Sequence, residues 1–509
     1  MTRLAVLAIG LALGVQELPA APAPSNPNIV LVLADDLGYG DPQCYNPESK
    51  IPTPNMDRLA AQGMRFTDAH SPSSVCTPTR YGILTGRFAW RTWLKRGVLG
   101  PYGAPLIERG RLTLAKMLKE RGYATGCIGK WHLGWNWTRK AGGFVPPETR
   151  GTKDEEIDLT KPPVNGPRMA GFDYYFGTDV PNYPPYIFIE DEHFVGPPPV
   201  KPKPENMFGN PGRMQAGWRL ERILPTLTRK AVEFIEQHAG KGPFFLYLPL
   251  TAPHTPIVPS RPWQGKSRAG DYGDLVAEVD GTLGAVMAAL ERTGAAGNTV
   301  LIMTSDNGSP ARAGDPFIRN PEWAKTGAVV RMFGHNPSDG WRGMKGDAWE
   351  GGHRIPFIVR WPGKVPAGTT NNSLICLVDL MATIAAAIGR QLPASAAEDS
   401  FNFLPAWRGA KDYNPGRAAL IHHSFRGMFA VRQGEWKLIL GRGSGGFSKP
   451  ATIDPAKLKP GEPRGQLYDL AADPAERHNV WSQWRKIVKK LTALLTEYQQ
   501  TGTSRAAKQ

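Results

Sequence analysis

Hydrophobic positions along this chain fall into short continuous apolar runs separated by longer stretches of helical period. Residues 28–34 (NIVLVLA) are apolar almost throughout and rich in β-branched side chains, as expected of a strand buried on both faces of a parallel sheet. Residues 244–250 and 299–303 read the same way, and 123–128 and 355–361 as further strands. Residues 53–66 have helical spacing at Met56, Leu59, Ala60 and Met64, with Thr53 as N-cap and Pro54 at the first helical position. Residues 112–121, ended by Gly122, and residues 227–238, 271–292 and 378–388 are the other helices before residue 395. Strands and helices in alternation predict an α/β fold with a doubly wound sheet.

After about residue 395 the pattern changes to short strands at 427–432, 435–440 and 466–470. These form an antiparallel sheet with turns at Gln433-Gly434 and around 443–446. A basic amphipathic helix over 482–499 closes the chain and reads as a packing element. The least legible stretch is 136–220, where proline pairs alternate with Tyr174, Tyr175, Tyr183 and Tyr186. It predicts long loops over the sheet, the place where specificity is usually carried. The resulting division is 1–23 as a signal peptide, 24–395 as the α/β domain and 396–509 as a smaller α+β subdomain.

Composition narrows the class. A chain of 509 residues with 41% hydrophobic residues can bury a large core and is globular rather than disordered. Its four cysteines (Cys44, Cys76, Cys127, Cys376) contain no C-x-x-C pair, which excludes a disulfide-rich scaffold and gives no zinc-ribbon spacing. The net charge of +16 is dispersed, without a long basic block or a nucleic-acid module, so no nucleic-acid partner is expected. A basic surface equally suits an anionic substrate. Arg3, the apolar run 4–15 and small residues at Ala20, Ala21 and Ala23 read as a secretory signal, hence export to a periplasm or the exterior. No segment has the length of an integral membrane span.

Candidate chemistry gathers after the predicted strands. Asp35-Asp36 follows the first, and adjacent carboxylates repel unless a cation or donors offset them. Lys130 and His132 follow the 123–128 strand, His254 the 244–250 strand, and Asp306-Asn307 the 299–303 strand. In open α/β sheets ligands collect at the carboxyl ends of strands. Cys76-Thr77-Pro78-Thr79-Arg80 predicts the start of a helix, with Cys76 at its N-terminus and Arg80 one turn on, both facing an anion. Read alone, each piece is compatible with a plain role: a structural cysteine, a solvated turn, a loop lysine.

Together the strings resemble a known family. The C-T-P-T-R…L-T-G-R run of residues 76–87 is similar to the signature of the type I sulfatases, and G-K-W-H-L-G (129–134), A-P-H-T-P (252–256), Ser305-Asp306-Asn307-Gly308 and the glycine-rich loop around Lys345 match further motifs of that family. The resemblance runs from Asn28 to about Asn479 and leans toward arylsulfatase-like and N-acetylgalactosamine-6-sulfatase-like members. It implies an alkaline-phosphatase-like fold and hydrolysis of a sulfate ester, with a sulfated small molecule or glycan as substrate. It also implies that a formylglycine-generating enzyme converts Cys76 to Cα-formylglycine (3-oxoalanine), whose hydrate is the nucleophile.

By the same resemblance, Asp35, Asp36, Asp306, Asn307 and an oxygen of modified Cys76 hold one divalent cation. Hard oxygen ligands favour calcium, with magnesium second. Lys130, His254 and Lys345 contact the sulfate, His254 with Lys345 protonates the leaving alcohol, His132 drives sulfate release and Arg80 holds the hydrate. Two other readings stay open at this level: a phosphatase or phosphodiesterase of related fold, and a non-catalytic binder of anionic glycans.

Overall fold

The computed structural model describes residues 26–203, 209–314 and 321–505, so the signal segment read in the sequence lies outside the described residues. The chain is built around β1 (Asn28–Asp35), which is almost wholly buried. Its pleat divides the interior. Ile29, Leu31 and Leu33 face one hydrophobic core, Val30, Val32 and Ala34 the other. A continuous apolar run is what a strand covered on both faces requires.

The other strands of the main sheet are β2 (Met64–Phe66), β3 (Ala124–Lys130), β4 (Tyr174–Thr178), β5 (Ile189–Glu190), β6 (His193–Phe194), β7 (Phe244–Pro253), β8 (Thr299–Ser305), β9 (Phe357–Arg360) and β10 (Thr369–Asn371). Their order is β10-β2-β9-β8-β1-β7-β3-β4-β5-β6. The centre, β8-β1-β7-β3-β4, is parallel, whereas β9 runs antiparallel to β8 and β2. Five neighbouring strands therefore end on the same edge. Helices α1 (Pro54–Gln62), α4 (Ile223–His238) and α5 (Gly270–Arg292) cover one face, and α2 (Cys76–Thr85), α3 (Leu114–Lys119) and α6 (Leu380–Ala387) the other.

Several boundaries differ from the sequence reading. α1 stops at Gln62, and Met64 and Phe66 lie on β2 instead, because Gly63 breaks the helix against β9, where a Cβ would meet the Val359 carbonyl at 2.3 Å. Thr53 stands at the N-cap, but its hydroxyl accepts from the Gln43 N–H. The helix is capped from a distance: the Asp280 carboxylate of α5 accepts the N–H groups of Asn55 and Met56. α3 is shorter than expected, with Thr113 accepting the Lys116 N–H as its cap. α4 begins four residues early because Pro225 falls in its first turn, where no N–H is needed. The 378–388 helix opens as a 3-10 turn over Leu377–Asp379. The 136–220 stretch is not all loop, since it supplies β4, β5 and β6.

Beyond residue 395, β11 (Leu420–His423), β12 (Phe429–Gln433), β13 (Trp436–Ile439) and β14 (Gln466–Asp469) form the antiparallel sheet, with β11 an additional strand beyond the three expected. α7 (Arg485–Thr501) packs on it through Leu491, Leu495 and Tyr498. The two sheets meet in a buried polar seam. The Lys437 ammonium donates to Glu350, Glu476 and His353 Nε2. Because a lysine can only donate, His353 carries its proton on Nδ1 and passes it to His70 Nδ1 at 2.9 Å, and His70 Nε2–H donates to Asp68 at 2.7 Å. His422 stacks on His353 with ring centroids 3.9 Å apart. Among the described residues no helix is long and apolar enough to cross a membrane.

Burial keeps His70, His353 and His422 below the ordinary histidine range, and pushes His423 down to about 4. These side chains stay neutral in the fold at pH values where the unfolded chain, with an imidazole pKa of about 6.5, takes up protons. The unfolded state then binds more protons, so stability should fall as pH drops from about 6.5 toward 4. Denaturant unfolding across that window should show the decline, with a shallower slope for His423→Gln; a flat profile would contradict it.

Candidate active site

Each carboxyl end of the five parallel strands delivers part of one site. β1 ends in Asp35 and continues to Asp36, β8 is followed by Asp306 and Asn307, β7 by His254, β3 ends in Lys130 with His132 two residues on, and β4 leads to Asp179. Backbone geometry at this edge is unusual. Asp36 (φ 73°) and His132 (φ 52°) both adopt the left-handed conformation that most side chains avoid. Gly129 (φ 136°) lets Lys130 close against β7, where a Cβ would lie 1.9 Å from the Pro249 carbonyl oxygen. Cys76 opens α2 after Val75 in extended conformation, and Gly86 ends the helix in the left-handed region.

The side chains form a buried lattice of charge. Arg80, one turn into α2, donates from Nε (3.1 Å) and Nη2 (2.7 Å) to Asp306 Oδ2, from Nη1 to the Lys130 carbonyl (3.0 Å), and lies 3.6 Å from Asp35. Lys130 Nζ pairs with Asp35 Oδ2 at 2.7 Å, and Lys345 Nζ with Asp36 Oδ1 at 2.6 Å. Asn307 Nδ2 donates to the same Asp36 oxygen at 2.7 Å. All ten site residues expected from the sequence thus lie at this one edge. The Lys345 loop reaches it from after β8: the Lys345 N–H donates to Ser309, and Gly346 N–H to Ser74, just before α2.

The charges set one another's protonation. Burial raises the Asp35 carboxyl, but the charges of Lys130, Arg80 and Lys345 outweigh it and hold Asp35 well below the usual carboxylate range. Burial and the Asp35 charge push Asp306 the other way. Burial lowers Lys345, but Asp36 and its neighbours prevail and leave the ammonium firmly protonated. His254 is driven to about 3 by burial and the Lys345 charge, and His132 to about 3 by burial and Lys130. Both imidazoles are neutral here. His132 gives its Nε2–H to the Leu99 carbonyl (2.9 Å), which leaves a bare Nδ1 with no hydrogen-bond partner among the described residues. His254 gives its Nδ1–H to the Thr255 carbonyl (2.6 Å), which leaves Nε2 3.9 Å from Asp36 Oδ2.

Two further atoms have no hydrogen-bond partner: Asp35 Oδ1 and Asn307 Oδ1, both buried oxygens. Asp35, Asp36 and His254 also offer ligand atoms within 4.8 Å of one another. Orphaned hard oxygens beside mutually repelling carboxylates suit a divalent cation. Above them a cavity of about 180 Å³ is lined by Asp36, Cys76, His132, His254 and Lys345. Its wall also includes Tyr183, one of the aromatics noted in the 136–220 stretch, and Asn182, Arg312, Phe425 and Phe447, none of which the sequence reading singled out. Arg312 carries the one readable signal, a cation five residues after Asn307 on the same loop.

The sulfatase family model matches residues 27–390. The chain belongs to the sulfatase family. It is 36% identical over 507 residues to an N-acetylgalactosamine-6-O-sulfatase of Bacteroides thetaiotaomicron, covering 92% of each chain. It is 34% identical to arylsulfatase A of Bos taurus, over 90% of this chain and 84% of that one. A structure solved in work on the metabolism of multiple glycosaminoglycans by Bacteroides thetaiotaomicron superposes with a TM-score of 0.79 at 34% identity, covering 94% of this chain and 100% of that one. This sulfatase therefore has the alkaline-phosphatase-like fold with a small C-terminal antiparallel sheet, and it is a sulfuric ester hydrolase.

In the sulfatase, Arg80 is the counter-charge of two buried carboxylates. Arg80→Ala should cost about 3–5 kcal/mol, because it leaves Asp306 and Asp35 without their shared partner. A loss below about 1 kcal/mol in chemical denaturation would show that Arg80 does not hold this cluster.

Proposed function

We propose that the protein is an exported sulfatase that hydrolyses a sulfate ester of a sulfated carbohydrate through a formylglycine hydrate at Cys76. The observation that carries this reading is the placing of Cys76, Lys345, His254 and His132 around one cavity, with Asp36 among its lining residues. The carbohydrate part rests on the N-acetylgalactosamine-6-O-sulfatase named above and on the net charge of +16, which favours a polyanionic substrate.

Asp35, Asp36, Asp306, Asn307 and an oxygen of the modified Cys76 would hold one divalent cation, calcium before magnesium, since the donors are all hard oxygens. Such an ion withdraws charge from a bound sulfate oxygen. A maturing enzyme, with water and an external two-electron oxidant, would first convert the Cys76 CH2–SH to an aldehyde and release its sulfur as sulfide; the aldehyde then hydrates to a CH(OH)2 group.

One hydroxyl of that group gives up its proton to solvent and attacks sulfur, its O–S bond forms as the bond from sulfur to the substrate oxygen breaks, and the alcohol leaves after taking a proton. Lys345 holds a proton in the resting site, whereas His254 does not. The negative sulfate ester raises the affinity of His254 for one, so the pair can serve as proton donor together. The bare Nδ1 of His132 can then take the proton of the second hydroxyl. The carbon regains its carbonyl, the bond from carbon to the sulfated oxygen breaks, and sulfate leaves as the dianion. Water re-forms the hydrate. Lys130 and Arg80 keep Asp35 ionised throughout.

Sulfate release from an aryl sulfate and a sulfated sugar, beside release of phosphate from an aryl phosphate, tests the reaction class. Cys76→Ala and Cys76→Ser should lower sulfate release by at least about 10³-fold while the protein still folds. Mass spectrometry of the tryptic peptide 66–80 should show the aldehyde in protein from its native host. Retained turnover in Cys76→Ala, or phosphate release as the preferred reaction, would overturn the proposal.

Cation binding is tested separately by calorimetry. Calcium should bind the chelated protein, more tightly than magnesium, and raise its melting temperature through preferential binding to the folded state. Asp306→Ala and Asn307→Ala should each weaken calcium binding by at least about tenfold. Equal calcium affinity in wild type and both variants would place the ion elsewhere.

A further inference from the structure

The cavity beside Cys76 has more recognition chemistry than a single sulfate needs. On its wall, Lys345 is paired with Asp36 at 2.6 Å. Arg312 is the lining cation with no hydrogen bond or ion pair among the described residues, and its Nε is buried without a partner. The Asn182 Oδ1 on the same wall is likewise buried and unpartnered. A guanidinium that has lost water on one side and gained no carboxylate is costly unless a ligand completes it. Its planar fork matches a carboxylate or sulfate in two-point fashion, better than it matches a single hydroxyl.

Arg312 follows Asp306-Asn307 on the loop after β8 and shares the cavity with His254 and Lys345, the pair proposed above to donate a proton to the departing oxygen. Asn182 comes from the opposite direction, on the loop after β4, in the proline-rich stretch. The scissile sulfate itself is served by Lys345, His254 and the cation that the carboxylates would hold. The extra cation and the extra acceptor are therefore left for the sugar.

We propose that Arg312, with Asn182 on the same cavity wall, forms a second recognition point that takes an additional anionic group of the substrate, on the sugar bearing the scissile sulfate or on its neighbour. The group is a carboxylate or a second sulfate, and Asn182 accepts a ring hydroxyl beside it. This inference rests on the sulfatase acting on a glycan, as proposed above. It makes a doubly charged glycan unit, rather than a neutral sugar with one sulfate, the preferred substrate.

The test compares kcat/KM of wild type, Arg312→Ala, Arg312→Gln and Arg312→Lys on three substrates. These are a monosulfated monosaccharide, the same sugar with a second sulfate, and a disaccharide pairing the monosulfated sugar with a uronate. Wild type should prefer one of the charged partners by at least about tenfold, and that partner identifies the group as sulfate or carboxylate. The preference ratio should collapse about 10- to 100-fold in Arg312→Ala and Arg312→Gln and be partly restored in Arg312→Lys. Asn182→Ala should lower kcat/KM on the preferred substrate by about 3- to 20-fold, mostly through KM. A ratio unchanged in Arg312→Ala overturns the inference, and so does a ratio kept by Arg312→Gln, which would assign the contact to a hydroxyl. A wild type that releases sulfate from none of these sugars nor from an aryl sulfate overturns the sulfatase proposal itself, which separates the two failures.

Discussion

The structure depends on ion pairing in a dry place. Asp35, Asp36 and Asp306 stand at the ends of neighbouring strands, and Arg80, Lys130 and Lys345 meet them there. Three carboxylates and three cations balance within the set, and all six are buried. Isolated, any one of these ions would cost several kcal/mol to bury; as a lattice, each is the solvent of the others. The parallel centre of the sheet is what permits this. Antiparallel strands would send alternate ends to opposite edges and scatter the charges. A balanced set also leaves room for function, because an added divalent cation makes the edge net positive toward a sulfate ester.

The same pairing explains which groups are ready to react. Lys130 and Arg80 sit against the carboxylates, deep in the cluster, and hold Asp35 ionised. Lys345 and His254 are on the cavity side, where a proton can be handed to a leaving oxygen. His132 has its outer nitrogen fixed to the Leu99 carbonyl, so its tautomer is settled by the backbone and its lone pair is directed by default. Strained backbone at Asp36 and His132 coincides with two of these positions, as expected where surrounding contacts override local preference.

Much of this was legible in the sequence, for a specific physical reason. Strands buried on both faces leave uninterrupted apolar runs, so β1, β7 and β8 could be located and the polar residues after them assigned to one edge. β4 escaped because YYFGT is short, aromatic and bracketed by prolines, which locally reads as loop; only its pairing with β3 makes it a strand. The cap of α1 escaped because its acceptor, Asp280, lies 224 residues from Met56. Asn182 escaped because a lone asparagine in a loop has no period and no spacing, and Arg312 because its place five residues after Asn307 says nothing by itself of where its side chain goes. Their meaning comes from sharing one cavity with Cys76, which is a property of the fold.

The small C-terminal sheet is the part whose role composition could least convey. It fixes the Lys345 loop rather than hanging beside it. The Phe425 N–H donates to Gly346, Ala348 N–H to Ser444, and Asp347 accepts from the N–H groups of Phe447 and Ser448. Glu350, just past that loop, is neutralised by Lys437 of β13, and the buried chain from Lys437 through His353 and His70 to Asp68 continues to the segment that leads into α2. Lys345 and Cys76 are thus positioned from the same seam, through contacts that join residues far apart in the chain. Phe425 and Phe447 from that sheet also line the cavity. The charge lattice sets what the edge can bind, and the seam sets where the reacting cation stands over it.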